Sequence, residues 1–313
     1  MIVVSGEALM DVFMAGNTAT GAALDARIGG SPFNVAVGLA RLGQPAAFFG
    51  GVSTGFLGDR LMQALQAEQV DTVCTARVEG PATLSLVGLD AQGVPDYAFY
   101  GAGAADRLLP LAAVARVPAA QAYQFGSYAM VVEPVAATQR ALIEREHTRD
   151  GQRAVIAYDP NIRLNVEPDI QRWRDTLQWM LPRTQLLKVS DEDLGLLYPG
   201  VAPAELAAQW LAAGVALVVV TRGGAGAWAW TARDHVAAPP VAVQVVDTVG
   251  AGDTFQAALL TALAERGLLN RAALQALGAD AVAAVLAFAA QAAAITCSRR
   301  GADLPRRAEL PAT

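Results

Sequence analysis

Short apolar runs alternate with longer helical patterns along this chain, and this alternation constrains its fold more than any other feature. The runs are compact and end near Gly, Asp, Ser or Thr, and they cover residues 2–4, 46–50, 154–158, 185–189 and 216–221. Continuous apolar runs are typical of parallel strands that are covered on both faces. They predict an α/β fold, in which a doubly wound, mainly parallel sheet is flanked by helices.

Segments between the runs carry apolar residues at spacings of three and four, which predicts helices at residues 34–42, 56–66, 169–181 and 203–213. Two zones break the alternation. Residues 84–89 and 95–100 predict a hairpin around residues 91–93, and residues 12–28 form an irregular zone with candidate strands. We interpret these zones, near residues 12–28 and 83–100, as a small β-sheet lid on a single domain spanning residues 1–313.

Composition excludes several functional classes. Hydrophobic residues make up 54% of the 313, which predicts a large core, and a net charge of −6 without a basic run argues against a nucleic-acid partner. Two cysteines and two histidines, far apart, argue against a disulfide framework and a His/Cys zinc site. The first residues lack the basic region of a signal peptide, and the apolar segment 281–297 favours a core helix over a membrane span. We therefore expect a cytoplasmic protein without a membrane partner.

Lys188 is the only lysine, and Val189 follows it. A phosphate loop of the Gly-Lys-Ser/Thr type is therefore excluded. Phosphate binding would have to use backbone amides, a metal ion and arginine.

The most informative segment is residues 245–255. Val245 and Val246 predict a strand that enters a turn at Gly250, Ala251 and Gly252, after which a helix begins. Small residues and the free amides of a first helical turn form an anion cradle. Asp253 at the helix start has two interpretations, a helix N-cap or a general base beside a phosphoryl group.

A second segment places Gly29 and Gly30 directly before a helix whose first turn presents Asn34. One interpretation is an ordinary turn and helix start. The other is a backbone-lined sugar pocket in which the Asn34 amide binds hydroxyl groups.

These two segments, together with residues 6–11, resemble the N-terminal and C-terminal signatures of the ribokinase-like (phosphofructokinase-B type) carbohydrate kinases. Within that family, bacterial fructokinases are most similar, through segments 99–106, 125–127, 159–163, 188–193 and 297–302. The resemblance spans nearly the whole chain. It implies transfer of the ATP γ-phosphoryl group to a primary hydroxyl of a sugar, with fructose converted to fructose 6-phosphate.

The family resemblance also implies roles for individual residues. Asp253 would be the general base, and the turn at Gly250 with the amides of Ala251, Gly252 and Asp253 would stabilise the transferred group. Sugar contacts are implied or suggested for Asp11, Gly29, Gly30, Asn34, Tyr97, Phe99, Asn161 and Arg163. An ATP-binding role is assigned to Lys188, Ser190, Thr221, Arg222, Gly223 and Gly226. For Arg163 a surface ion pair, and for Arg222 a solvated charge, are equally compatible with the sequence.

Metal sites follow from the same resemblance. Glu192 or Asp193 would bind Mg²⁺ in place of the family's Asn-x-x-Glu motif, and Asp247 with Val249 would bind a monovalent cation such as K⁺. Gly55 stands where relatives often carry Asp, which leaves sugar preference open. The unpaired edges of the lid sheet favour a homodimer formed through the lid, and the resemblance implies the same, because members of the family are often dimers.

Three alternatives stay open at this point. A 2-keto-3-deoxygluconate kinase would share the chemistry, with Arg163 binding the substrate carboxylate. A non-catalytic sugar- or nucleotide-binding protein would keep the fold, although the retained Asp253 argues against it. A dehydrogenase is disfavoured, because the first strand is followed by Gly6-Glu7-Ala8 and lacks a Gly-x-Gly-x-x-Gly turn.

Overall fold

The computed structural model describes residues 1–89, 95–149 and 154–311. Its strands are β1 (Ile2–Ser5), β2 (Leu9–Asn17), β3 (Ala22–Gly29), β4 (Ala46–Phe49), β5 (Gly51–Ser53), β6 (Ala76–Val78), β7 (Leu84–Leu89), β8 (Pro95–Tyr100), β9 (Ala122–Gly126), β10 (Val155–Asp159), β11 (Leu186–Ser190), β12 (Leu217–Thr221), β13 (Ala227–Trp230) and β14 (His235–Ala238). Its helices are α1 (Ser31–Arg41), α2 (Phe56–Ala67), α3 (Val135–Thr148), α4 (Ile170–Met180), α5 (Asp191–Leu197), α6 (Pro203–Ala212), α7 (Ala251–Glu265), α8 (Arg271–Gln275) and α9 (Ala279–Cys297).

The main sheet has eight strands in the order β14-β13-β12-β11-β10-β9-β1-β4. All pairs from β12 to β4 are parallel, and β13 and β14 add an antiparallel edge. The five apolar runs are β1, β4, β10, β11 and β12, so that prediction is confirmed. Strands β9, β13 and β14 were not predicted from the sequence. The four predicted helices are α1, α2, α4 and α6, although α1 begins three residues earlier, at Ser31.

Successive strand residues bury their side chains on opposite faces, which explains the uninterrupted apolar runs. In β1, Val4 packs into a core with α1, α2, α7 and α9, whereas Val3 packs into a second core with α3, α4, α5 and α6. The sheet is therefore covered on both sides, as predicted. Where α1 meets α7 the contact is close, because a Cβ on Gly38 would lie 2.8 Å from the Ala257 Cβ.

Helix α9 is, within the described residues, long and apolar enough by length and composition to cross a membrane. Its Val282, Val285, Leu286 and Ala289 are buried in the core that contains α7. This packing is what a core helix requires, and it agrees with our interpretation of the apolar segment.

A second, small sheet has the order β3-β2-β7-β8. Both predicted lid zones fold into it, and the predicted hairpin strands are β7 and β8 with the expected bounds. The predicted turn at residues 91–93 lies outside the described residues. Asp11 on β2 stands opposite Ser85 on β7, and Gly29 at the end of β3 lies directly against the Asp11 carboxyl group. The small sheet thus brings Asp11 to the start of α1.

The predicted strand at Val245 and Val246 is wrong, because this segment pairs with none of the strands in the described part of the chain. Both side chains are 60% exposed, and the Val246 backbone N–H donates to the carbonyl oxygen of Cys297 at 2.8 Å. The segment instead runs beside the end of α9, where Val245 faces a cavity and not a sheet.

Candidate active site

A cavity of about 890 Å³ opens at the carboxyl edge of the parallel strands. Residues that follow β1, β9, β10, β11 and β12 line it, together with the first turns of α1 and α7 and part of the small sheet. Ligands in open α/β sheets bind at this edge, because loops from several strands converge there. The volume suits a small ligand.

The structure brings most of the predicted site residues to this cavity. Those that line it are Asp11, Gly30, Asn34, Phe99, Asn161, Arg163, Lys188, Ser190, Glu192, Asp193, Thr221, Gly223, Gly226, Val249, Gly250, Ala251, Gly252 and Asp253. Gly29, Arg222 and Asp247 are not among the lining residues. The Tyr97 backbone pairs with Val87 in the small sheet, but its side chain lies outside the described part of the structure.

The start of α7 has the turn and the free amides predicted for an anion cradle, with one amide fewer than expected. Gly250 precedes the helix in the left-handed conformation, with φ 78°, which favours glycine. The Ala251 N–H already donates to the carbonyl oxygen of Thr248 at 3.2 Å. The amides of Gly252 and Asp253 have no acceptor in the residues described, so the cradle consists of these two groups.

Asp253 is bound by two side chains of α1. The Ser31 hydroxyl donates to its Oδ1 at 2.6 Å, and the Asn34 amide Nδ2 donates to its Oδ2 at 2.8 Å. The helix N-cap is Gly250, without a side-chain hydrogen bond, so the N-cap interpretation of Asp253 is wrong. Burial raises the pKa of the Asp253 carboxyl, while the Ser31 and Asn34 hydrogen bonds and the charge of Lys188 oppose the rise. The two glycine-containing segments therefore meet around one carboxylate.

This geometry changes the expectation for Asn34 and adds Ser31. Asn34 was predicted to bind sugar hydroxyls, but its amide nitrogen binds Asp253. Ser31 was not predicted, although it stands inside the segment from Gly29 to Asn34 that drew attention. A serine before Pro32 gives no sequence signal for its partner, because Asp253 is 222 residues away in the chain.

Lys188 corrects the expectation that the phosphate site lacks lysine. Its Nζ forms a buried ion pair with Asp159 Oδ2 at 2.7 Å, and both side chains are at most 6% exposed. A Cβ on Gly252 would lie only 3.3 Å from Lys188 Nζ. An ammonium group therefore stands beside the cradle, brought there by β11 and not by a Gly-Lys-Ser/Thr loop.

One end of the cavity, which we call the acidic end, contains Glu7, Asp11, Asn161 and Arg163. Burial raises the pKa of the Asp11 carboxyl, and Ser85 and the positive charge of Arg163 lower it. Arg163 donates to the carbonyl oxygen of Ile162 at 2.8 Å and forms no ion pair with any described residue, so the surface ion-pair interpretation is not supported. Asn161 has φ 42°, unusual for a residue other than glycine, and its Nδ2 is buried without a partner in the residues described.

Another part of the lining, which we call the apolar end, consists of residues of the 240–245 segment and of the last turns of α9. It includes Val241, Val243 and Val245, and Ala290, Ala294 and Cys297. Apolar surfaces of this kind suit an aromatic heterocycle. This surface was not predicted from the sequence, because Val245 was assigned to a strand and the apolar segment 281–297 to a core helix.

The glycine turn after β12 reaches the cavity with Thr221, Gly223 and Gly226. Arg222 does not, since its guanidinium stacks on the Trp228 ring at 3.7 Å from the centroid. The structure thus places Arg222 against an aromatic ring and apart from the cavity lining.

The candidate cation ligands lie in two places. Glu192 is exposed and Asp193 is buried beside Asp159, and burial followed by the Asp159 charge raises the pKa of the Asp193 carboxyl. Asp247 accepts from the Val249 N–H at 3.1 Å and from the Gly301 N–H at 2.8 Å, so it joins two loops. Within the described ranges, no three His, Cys, Asp or Glu side chains are grouped so that they alone could hold a metal ion.

The site contains a nucleotide-compatible apolar wall, an anion cradle with an adjacent ammonium group, and a carboxylate between the cradle and a polar pocket. These features define a phosphotransferase with an alcohol acceptor.

Comparisons with known proteins agree. The family model for pfkB family carbohydrate kinases matches residues 1–308. A fructokinase from Rhizobium leguminosarum bv. trifolii is 36% identical over 272 residues, which are 87% of this chain and 82% of the relative. The structure of a Xylella fastidiosa fructokinase with bound ATP superposes with a TM-score of 0.83 at 27% identity, covering 99% of this chain and 94% of that one.

A fructokinase from Vibrio cholerae O395 with fructose, ADP and calcium bound has a TM-score of 0.78 at 26% identity, covering 96% of this chain and 94% of that one. A double mutant of that enzyme contains fructose, ADP and potassium. The chain belongs to the pfkB family of carbohydrate kinases, and it is an ATP-dependent phosphotransferase.

Proposed function

We propose that this protein transfers the γ-phosphoryl group of ATP to the primary hydroxyl of fructose and forms fructose 6-phosphate. The observation that carries the proposal is the position of Asp253, whose carboxylate lies at the start of α7 beside two free amides. The fructokinases similar to this chain support fructose as the acceptor.

The residues of the site suit each part of the reaction. Asp253 accepts the proton of the primary hydroxyl, the hydroxyl oxygen bonds to the γ-phosphorus, and the bond from that phosphorus to the β-phosphate oxygen breaks to release ADP. The amides of Gly252 and Asp253, together with the Lys188 ammonium, stabilise the negative charge on the transferred group. The apolar end binds the adenine ring.

The small sheet serves as a lid in this proposal. Asp11 on β2 and Phe99 on β8 line the cavity. Asp11 binds sugar hydroxyls, and the sheet keeps water from replacing the sugar as phosphoryl acceptor. Gly30 lets the chain approach closely, because a Cβ there would lie 2.8 Å from the Glu7 carbonyl oxygen.

Divalent and monovalent cations complete the proposal. Oxygen ligands suit Mg²⁺, which usually binds one or two carboxylates and the substrate phosphates, and Glu192 and Asp193 provide them. Asp159 Oδ1, which is buried without a partner in the described structure, adds unused acceptor capacity nearby. Mg²⁺ would neutralise charge on the phosphate oxygens. Asp247 and the Val249 carbonyl would hold K⁺ beside the cradle, consistent with the potassium in the Vibrio cholerae structure.

A 2-keto-3-deoxygluconate kinase is the second candidate. It is favoured by one observation, the guanidinium of Arg163 in the acidic end without an ion pair to any described residue. A substrate carboxylate could bind there in a bidentate manner.

The edges of the small sheet, β3 and β8, support a homodimer formed through the lid, since unpaired edges invite pairing. Light scattering on the purified protein would measure the mass. A cytoplasmic location stays a prediction.

The test of the proposed function is a substrate panel with ATP and Mg²⁺, followed by the Asp253→Asn variant. We expect fructose to be the best acceptor, ahead of 2-keto-3-deoxygluconate. Asn cannot accept the proton, so kcat should fall at least about a hundredfold, as loss of a general base predicts, while sugar binding persists. Asp280→Asn, at the exposed start of α9 away from the cavity, is the matched control. A kcat near that of the wild type in Asp253→Asn would reject the mechanism. A preference of the wild type for 2-keto-3-deoxygluconate would reject fructose as the substrate.

A further inference from the structure

Glu7 lies at the acidic end of the cavity, and the mechanism above does not use it. It follows β1 and lines the cavity together with Ser127 and Arg163. Glu7 is only 2% exposed, and its Oε2 has no hydrogen-bond partner among the described residues. A buried polar atom without a partner is costly to maintain, which indicates that a ligand completes its bonding.

Two charged groups of opposite sign lie near Glu7: the Asp106 carboxyl group outside the cavity lining and the Arg163 guanidinium within it. Asp106 lies behind it, outside the cavity lining, where the Thr83 hydroxyl donates to Oδ1 at 2.6 Å and the Tyr128 hydroxyl donates to Oδ2 at 2.8 Å. Arg163 lies in the cavity itself. Each Asp106 oxygen therefore has a hydroxyl donor, whereas Glu7 Oε2 has no hydrogen-bond partner among the described residues.

This environment determines the protonation of Glu7. The pKa of Glu7 is raised to about 8: burial is the largest cause and the Asp106 charge adds to it, while the Ser127 hydrogen bond and the charge of Arg163 lower the pKa. At neutral pH the side chain is mostly a carboxylic acid, which carries one O–H donor and one carbonyl acceptor. Such a group matches a sugar hydroxyl, which also donates and accepts.

We propose that Glu7 makes this site selective for uncharged sugars, because its buried carboxyl group, with Oε2 unpartnered among the described residues, forms hydrogen bonds with hydroxyl groups of the bound sugar. The inference rests on the proposed function and adds a specificity residue to it. A ligand carboxylate at the same place would lie near the Glu7 and Asp11 carboxyl groups and a single guanidinium, that of Arg163, while the Lys188 ammonium acts on Asp253. The observations therefore favour a neutral ketose over a sugar acid.

Glu7→Gln is the decisive variant, because an amide of nearly the same shape donates and accepts at every pH. For the wild type, kcat/KM for fructose should fall above about pH 8, as Glu7 ionises. In Glu7→Gln it should stay within about threefold of the wild type at neutral pH, and the alkaline fall should be absent.

Glu7→Ala removes these hydrogen bonds. We expect its KM for fructose to rise at least about tenfold with kcat within about threefold, because ground-state binding is lost. The preference for fructose over 2-keto-3-deoxygluconate, measured as the ratio of kcat/KM values, should also fall at least about tenfold. In Glu7→Ala, an unchanged KM for fructose or an unchanged preference would overturn the role of Glu7. In Glu7→Gln, a loss of more than about tenfold in kcat/KM at neutral pH, or a kcat/KM that still falls above about pH 8, would overturn it as well.

Unfolding measurements report on Glu7 independently of activity. Since the folded-state pKa of Glu7 is raised, the wild type should lose stability relative to Glu7→Gln as pH rises from about 5 to about 8. Parallel curves of Tm against pH for the two proteins would contradict the buried neutral acid. A wild type that is inactive on fructose at neutral pH overturns the proposed function, whereas an active wild type with an impaired Gln variant overturns only this inference.

Discussion

Replacing Ser31 with alanine tests how the site keeps Asp253 ready to accept a proton. The Ser31 hydroxyl donates to Asp253 Oδ1 at 2.6 Å, a short distance for a hydrogen bond to a carboxylate. It stabilises the ionised form of Asp253, against the burial that raises the carboxyl pKa. Ser31→Ala should therefore raise this pKa further, and a smaller fraction of the enzyme should be active at low pH.

The size of the effect follows from the hydrogen bond. Hydrogen bonds to charged groups contribute about 1.5–3 kcal/mol, and one pKa unit corresponds to about 1.36 kcal/mol. The carboxyl lies at an open cavity, so water replaces part of the lost bond, and we expect the low end of this range, a rise of about one pKa unit.

The assay is kcat/KM for the sugar against pH, which reports the pKa of the essential base in the free enzyme. The acid limb should move up by about one pH unit in Ser31→Ala, with kcat above the limb within about threefold of the wild type. Ser31→Thr keeps the hydroxyl and should leave the limb in place. An unmoved limb in Ser31→Ala, or an equal shift in both variants, would refute the reasoning.

Two stability predictions concern the residues that shape the cradle. Gly250→Ala places a Cβ 2.9 Å from the Ala302 Cα in a left-handed conformation, and it should lower the free energy of unfolding by about 1–2 kcal/mol or more, measured by urea titration. Gly195→Ala, a helical position with no atom within 4 Å of the new Cβ, should be neutral or stabilising; an equal loss there would contradict the explanation. Lys188→Met leaves Asp159 as a buried unpaired carboxylate, and should cost about 3–5 kcal/mol in the same measurement. Adding Asp159→Asn should recover at least about half of that loss, and no recovery would argue against the ion pair as its cause.

The fold was largely predictable because its signals are local. Runs such as β1 and β11 are mostly apolar, since both faces of the sheet are covered, and helix α1 has Pro32 in its first turn. Strand β9 was missed because Gln124 interrupts its apolar pattern; in the structure the Gln256 amide donates to the Gln124 side-chain oxygen inside the core. A long-range polar pair of this kind leaves no periodic signal.

Residue types and spacing by themselves determined the layered α/β fold and the start of α7 with Asp253, and the resemblance of these segments to a kinase family implied the class of chemistry. The tertiary structure decided the partners: it gave Asp253 its two donors from α1, placed Lys188 beside Gly252, stacked Arg222 on Trp228 and left Glu7 Oε2 buried without a partner among the described residues. The physical reason is that helix and strand formation depends on neighbours in the chain. Hydrogen bonds and ionisation depend instead on groups that only the packed chain brings together.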